Sequence, residues 1–177
     1  PGQVLEDAKI SLQSYKAKRQ NYETTITELL DIYAAGLQNA KYDLVADSAK
    51  EFYALSTKFF AYVEPLIQEL QATHDISIVT GEPQFVAAAV GELFGIASYY
   101  SSEYEVHNGT LTGKVKCYLA SRDEKYKAIK RLLEGRGAQC SLAFGDSEGD
   151  IEMLQAVEYP ICLNPTDGLR AIANKKG

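Results

Sequence analysis

Apolar residues recur at spacings of three and four through the first part of the chain: Val4, Ala8, Leu12 and Tyr15, then Ile26, Leu29, Leu30, Tyr33 and Leu37, then Leu44, Val45, Ala49, Phe52 and Tyr53. That period lays them along one face of a helix, and no strand-like alternation interrupts it. The stretch from Val4 to about Tyr62 therefore predicts a small helical bundle. Thr25 followed by Glu28 reads as a capping box opening the second helix, and the polar residues around Gln38 to Lys41 separate it from the third. The Tyr and Phe residues on the inner faces read as core packing, with a substrate-lining role as the alternative.

After Tyr62 the pattern changes. Glu64 to Thr73 predicts a short amphipathic helix with Pro65 in its first turn. Ile76 to Val79 is a compact β-rich run ending at Thr80-Gly81-Glu82-Pro83, and Phe85 to Phe94 returns to helical spacing before Gly95 stops it. Asn108-Gly109 lies between two alternating runs in Glu103 to Val115, a strong hairpin signal. Ser121 to Gly135 is a basic amphipathic helix whose Tyr126, Ile129, Leu132 and Leu133 point inward by pattern. Cys140 to Phe144 then runs uncharged into Gly145-Asp146-Ser147, after which Ile151, Met153 and Leu154 resume helical spacing: buried strand, tight turn, helix. Tyr159 to Leu163 is a last strand, broken by Asn164-Pro165 ahead of a helix over Leu169 to Asn174. Helices alternating with strands predict an α/β fold with a mostly parallel sheet, divided into a helical domain over 1–62 and an α/β core over 63–177.

Composition narrows the function more than the fold. A chain of 177 residues, 46% hydrophobic, can bury a real core. Net charge −6 and a pI near 5.0 argue against nucleic acid or an anionic membrane as partner, and favour a small molecule or a protein. Cys117, Cys140 and Cys162 lack metal-site spacing, and two of them fall in strands predicted to be buried, so they read as reduced packing residues of a cytoplasmic protein. No apolar run approaches the ~18 residues of a membrane span. His74 and His107 read as solvated loop residues.

The candidate chemistry gathers at strand ends. Asp146 would follow a parallel strand, where open α/β sheets bind ligands, and Asp150, four residues on, falls on the same face of the helical turn. Two hard carboxylates there suit Mg²⁺, which is held by one or two carboxylates plus waters and substrate phosphate. The alternative is that Asp146 caps the helix and Asp150 complements its dipole. Thr80, followed by Gly81 and a new helix, is placed either to hydrogen-bond a phosphate together with backbone amides or to act as a plain cap. Lys125, near the start of its helix, points toward the same strand ends, with Lys127 as the alternative.

The string GDSEGDIEML, Gly145 to Leu154, resembles the fourth motif of the haloacid dehalogenase (HAD) superfamily, whose acidic residues hold Mg²⁺. The hydrophobic strand ending at Thr80 resembles the second motif, and Lys125 matches the lysine of the third. HNGTLTG from His107 and CLNPTDGLRAIANKKG from Cys162 resemble the hairpin and the C-terminal ending of the phosphoserine-phosphatase-like branch. The resemblance covers about Tyr62 to Gly177 and implies a Rossmann-like HAD core, with the preceding helices in the place of that branch's helical cap. It further implies a Mg²⁺-dependent phosphomonoesterase acting on a small phosphorylated metabolite through an aspartyl-phosphate. Asp146 and Asp150 would serve the metal, Asp150 would also orient Lys125, and Thr80, Gly81 and Lys125 would hold phosphate.

One part of the family pattern is absent. The nucleophile belongs to a DxDGT-like motif ending the central first strand, and no two aspartates of this chain are separated by a single residue. The expectation is that the motif lies upstream of Pro1, with a non-catalytic phosphate-binding or regulatory module as the alternative. The chain as it stands is expected to be inactive. Without the central strand, the strands ending at Thr80 and Asp146 would keep unpaired backbone groups in the core, each costing ~1–3 kcal/mol.

Overall fold

The computed structural model describes residues 2–55 and 59–176. Pro1, residues 56–58 of the expected helical stretch, and Gly177 lie outside the described residues. Three helices come first: α1 (Gly2–Lys16), α2 (Tyr22–Gly36) and α3 (Tyr42–Ala54). The helical pattern read to Tyr62 ends earlier, since Leu55 closes α3 and a fourth helix, α4 (Val63–Gln71), begins only at Val63. Then follow β1 (Ser77–Pro83), α5 (Gln84–Phe94), β2 (Ser98–His107), β3 (Thr110–Cys117), α6 (Arg122–Leu133), β4 (Leu142–Gly145), α7 (Ile151–Gln155), β5 (Tyr159–Cys162) and α8 (Asp167–Lys176).

The strands form two sheets. β1 pairs parallel with β2, which turns through Asn108-Gly109 into antiparallel β3, and β4 pairs parallel with β5. Positive φ at both turn residues, 49° and 71°, is why Asn-Gly makes this hairpin. Between β1 and β4 there is no strand among the described residues. The two instead line one cleft of about 350 Å³, with Ile76, Ser77 and Val79 on one wall and Leu142, Ala143 and Phe144 on the other.

The buried apolar residues form two cores, the second of which borders that cleft. The first joins Leu30 and Ala34 of α2 to Phe85, Tyr104, Leu111 and Ala120, with Val45, Ala46 and Ala49 of α3 against it. Backbone bonds stitch the α2–α3 link onto the hairpin: Asn39 N–H to Leu111 O, Leu111 N–H to Ala40 O, and Tyr42 N–H to Gly109 O, all 2.9–3.0 Å. The second core is aliphatic, built from Ile129, Ala143, Ile151, Met153, Leu154 and Leu169.

Several local expectations are corrected. The N-cap of α2 is Asn21, whose side chain accepts from Thr24 N–H at 2.8 Å. Thr25 lies inside the helix and donates its hydroxyl to Asn21 O, while Glu28 receives Ser11 and Gln20. Cys140 is not in β4: its φ of 57° is a left-handed turn that delays the strand to Leu142. Cys117 and Cys140 are exposed and do not pack the core as expected, whereas half-buried Cys162 does pack against the aliphatic core. Tyr126 is exposed and lies beside Lys130; the buried face of α6 is Lys125, Ala128 and Ile129.

Candidate active site

The β4–α7 turn is built around one carboxylate. Asp150 is 5% exposed. Its Oδ2 accepts from the N–H groups of Asp146 and Ser147 at 3.0 and 3.1 Å and from Ser147 Oγ at 3.2 Å. Its Oδ1 takes the Lys125 ammonium at 2.6 Å. Ser147 and Asp150 form a capping box across the short 3₁₀ turn of Glu148–Asp150. The cap is therefore Ser147, not Asp146. Gly145 is required for a steric reason: a Cβ there would lie 2.6 Å from Asp150 Cβ.

Two opposing forces set the charge of Asp150. Burial pushes its carboxyl pKa up, but the Lys125 charge, the Lys125 hydrogen bond and the two backbone N–H donors outweigh it and hold the group below its ordinary value. It is a carboxylate paired with an ammonium in a site almost closed to water. A buried cation on the first turns of α6 is costly alone, which is why Lys125 reads as half of a unit. Lys127 lies outside that unit, exposed and paired with Glu124.

Asp146 occupies a different position. It follows β4 directly, its backbone is tied to Asp150, and its side chain is exposed. The two carboxylates differ in surroundings: Asp150 is buried and hydrogen-bonded within the turn, whereas Asp146 is exposed. Among the described residues no cluster of three or more His, Cys, Asp or Glu is placed to hold a metal. What is present is one exposed hard-oxygen donor at a strand end, and this fits Mg²⁺ completed by waters and phosphate oxygens better than a fully protein-made cage.

Thr80 lies in the middle of β1, which runs on to Pro83 rather than ending at Thr80; it follows Val79, where the regular pairing with β2 is interrupted. Its Oγ1 accepts from Glu82 N–H at 3.2 Å, leaving the hydroxyl proton to donate. α5 begins at Gln84 with Pro83 as its cap, so Thr80 and Gly81 are strand residues and no helix N-terminus joins them, contrary to the expectation. Gly81 lies against the chain just ahead of α6, since a Cβ there would be 3.7 Å from Ala120 Cα. The part of β1 holding Thr80 and Gly81 thus borders the segment that leads into α6, the helix that carries Lys125.

Sequence reasoning missed Tyr22. Its hydroxyl is 3.0 Å from Ser147 Oγ. Burial chiefly, then the charges of Asp150, Asp146 and Glu148, raise its pKa against the opposing pull of the Ser147 bond. Nothing in the periodicity marks it, because it opens α2 on the far side of the molecule in sequence. Glu148 was also unnoticed; it accepts from Thr166 Oγ1 at 2.8 Å and ties the turn to the segment ahead of α8.

An α/β fold with a lysine–carboxylate pair and an exposed aspartate at its strand ends defines a class of proteins that place their chemistry on loops at the carboxyl edge of a sheet. The chain belongs to the haloacid dehalogenase-like hydrolase family, whose model matches residues 6–155. It is 24% identical over 156 residues to a phosphoserine phosphatase of Mycobacterium tuberculosis (strain ATCC 25618 / H37Rv), covering 81% of this chain and 51% of the relative. It is 23% identical over 187 residues to a histidinol-phosphatase of Neisseria meningitidis serogroup C (strain 8013), covering 98% and 83%. The crystal structure of a probable phosphoserine phosphatase from Vibrio cholerae superposes with a TM-score of 0.70 at 16% identity, over 94% of this chain and 50% of that one. The chain spans about half the length of the first curated relatives it matches.

Proposed function

We propose that the intact protein is a Mg²⁺-dependent phosphomonoesterase similar to phosphoserine phosphatase, with residues 1–62 acting as a cap over a 63–177 core. The observation that carries this reading is the buried Lys125–Asp150 pair, held at 2.6 Å beside the exposed Asp146. Lys125 and the Thr80 hydroxyl, with Gly81 allowing close approach, would hold the transferring phosphoryl group, where positioning and charge supply most of the catalysis. Asp146 would hold the Mg²⁺, and Asp150 would support that site from behind while fixing Lys125. When bound, the metal would neutralise charge on the phosphate oxygens. The attacking carboxylate would come from a strand upstream of Pro1. The cleft walled by β1 and β4 supports this, because both strands keep an edge with no strand partner among the described residues.

The test uses the full-length protein. Asp146→Asn is expected to abolish turnover of p-nitrophenyl phosphate and weaken Mg²⁺ binding with the fold intact, and unchanged Mg²⁺ dependence would sink the assignment. Thr80→Ala and Lys125→Ala are each expected to lower kcat/KM by the equivalent of ~2–4 kcal/mol, the loss of one transition-state contact. The 177-residue chain itself is expected to be inactive, so robust hydrolysis by it would overturn the upstream nucleophile. A complete reading frame without a DxDxT string after an apolar run would favour the non-catalytic module instead.

A further inference from the structure

Tyr22 is the first residue of α2, yet its side chain ends in the β4–α7 turn. A Cβ at Gly149 would lie 3.0 Å from Tyr22 Cε1, so the ring fills the space that a side chain there would need. Tyr15 of α1 packs edge-on against it, ring centres 6.2 Å apart.

The direction of the hydrogen bonds follows from the groups involved. Asp150 is a carboxylate and has no proton to give, so the 3.2 Å contact from Ser147 Oγ uses the serine proton. Tyr22, 3.0 Å from the same oxygen, must then donate to Ser147. The bonds run one way, from Tyr22 to Ser147 to Asp150, whose other oxygen holds Lys125. A serine hydroxyl rotates to suit its partners. A donor fixed on a packed ring removes that freedom and keeps the Ser147 O–H directed at Asp150 Oδ2.

We propose that Tyr22 is a positioning residue: from the helical segment it orients Ser147, and through Ser147 it fixes the Asp150–Lys125 pair for the phosphoryl group. Its catalytic consequence rests on the phosphatase reading; the chain of hydrogen bonds does not.

Tyr22→Phe in the full-length protein keeps the ring and removes the donor. It is expected to lower kcat for p-nitrophenyl phosphate about three- to tenfold, the range of one neutral hydrogen bond, with KM moving less than about twofold. On a Ser147→Ala background the same substitution is expected to have no further effect. An unchanged kcat, or an equal loss on both backgrounds, overturns the proposal. The ¹⁵N resonance of Lys125 Nζ gives a readout independent of turnover. It is expected to shift in Tyr22→Phe and stay in place in Tyr126→Phe, which alters an exposed ring. An unmoved Lys125 signal in Tyr22→Phe overturns the proposal. A moved signal in a protein that turns over no phosphate ester sustains the positioning role and overturns only the phosphatase reading.

Discussion

The two lobes flanking the cleft are held together by different physics. The lobe of β1, β2 and β3 is covered by α2, α3 and α5, and large side chains fill it: Phe85 and Tyr104 sit edge to face at 5.8 Å, and Leu111 is 1% exposed. Its buried polar groups serve packing, as where the Tyr104 hydroxyl donates to Leu30 O at 3.0 Å. The lobe of β4 and β5 has two strands of four residues each, an aliphatic core, and the buried set of Lys125, Ser147 and Asp150. Two strands alone are marginal without packing against other elements. Apolar burial thus stabilises one lobe, while the other combines a small core with a polar cluster suited to chemistry.

The contrast can be broken at Phe85. Phe85→Ala, at a site 2% exposed, is expected to destabilise by about 3–5 kcal/mol through lost burial and a cavity. Denaturant unfolding followed by far-UV circular dichroism measures it, and a loss under 1 kcal/mol would deny the first lobe its apolar basis. In the second lobe, Asp150→Ala strands the Lys125 ammonium and is expected to cost up to a similar ~3–5 kcal/mol, whereas Lys125→Met with Asp150→Leu is expected to recover most of it. Failure of the double variant to recover would mean that the turn, rather than the unpaired charge, dominates.

A smaller effect sharpens the same point through pH. The Asp150 pKa is lowered on folding, so its contribution is present above the ordinary carboxylate range of about 4 and is lost as pH falls through the folded value. Acid titration of stability in metal-free buffer is expected to show that loss, and Asp150→Asn to lack it. The smallest effect is at Lys130, exposed on the outer face of α6 beside Tyr126. Lys130→Ala is expected to change stability by no more than about 0.5 kcal/mol and turnover not at all. A loss matching Lys125→Ala would reverse the assignment of faces on that helix.

How much of this was legible in the sequence follows the same division. Periodicity found the helices, the hairpin and the strand that carries Thr80, though not that this strand runs on to Pro83, because long runs of apolar spacing leave few alternatives and short polar ends leave many. It failed where one residue's backbone decides, as at Cys140, and where a cap lies upstream of the expected residue, as at Asn21. The spacing of Asp146 and Asp150 was visible, but not that one would turn inward, since that depends on Lys125 arriving from another helix. The Tyr22 contact joins residues 125 positions apart, and no local pattern encodes such a pair.

The bonds between the α2–α3 link and the hairpin bear on motion. Asn39, Ala40 and Tyr42 are hydrogen-bonded to the strand tips, so α2 and α3 cannot swing away as a lid hinged at their own ends without breaking a ladder. The helical link and the hairpin therefore act as one mechanical unit at this end of the molecule, continuous through β2 with β1. Strain applied to that unit would reach the β4–α7 turn through α2, whose first residue is the one hydrogen-bonded to Ser147.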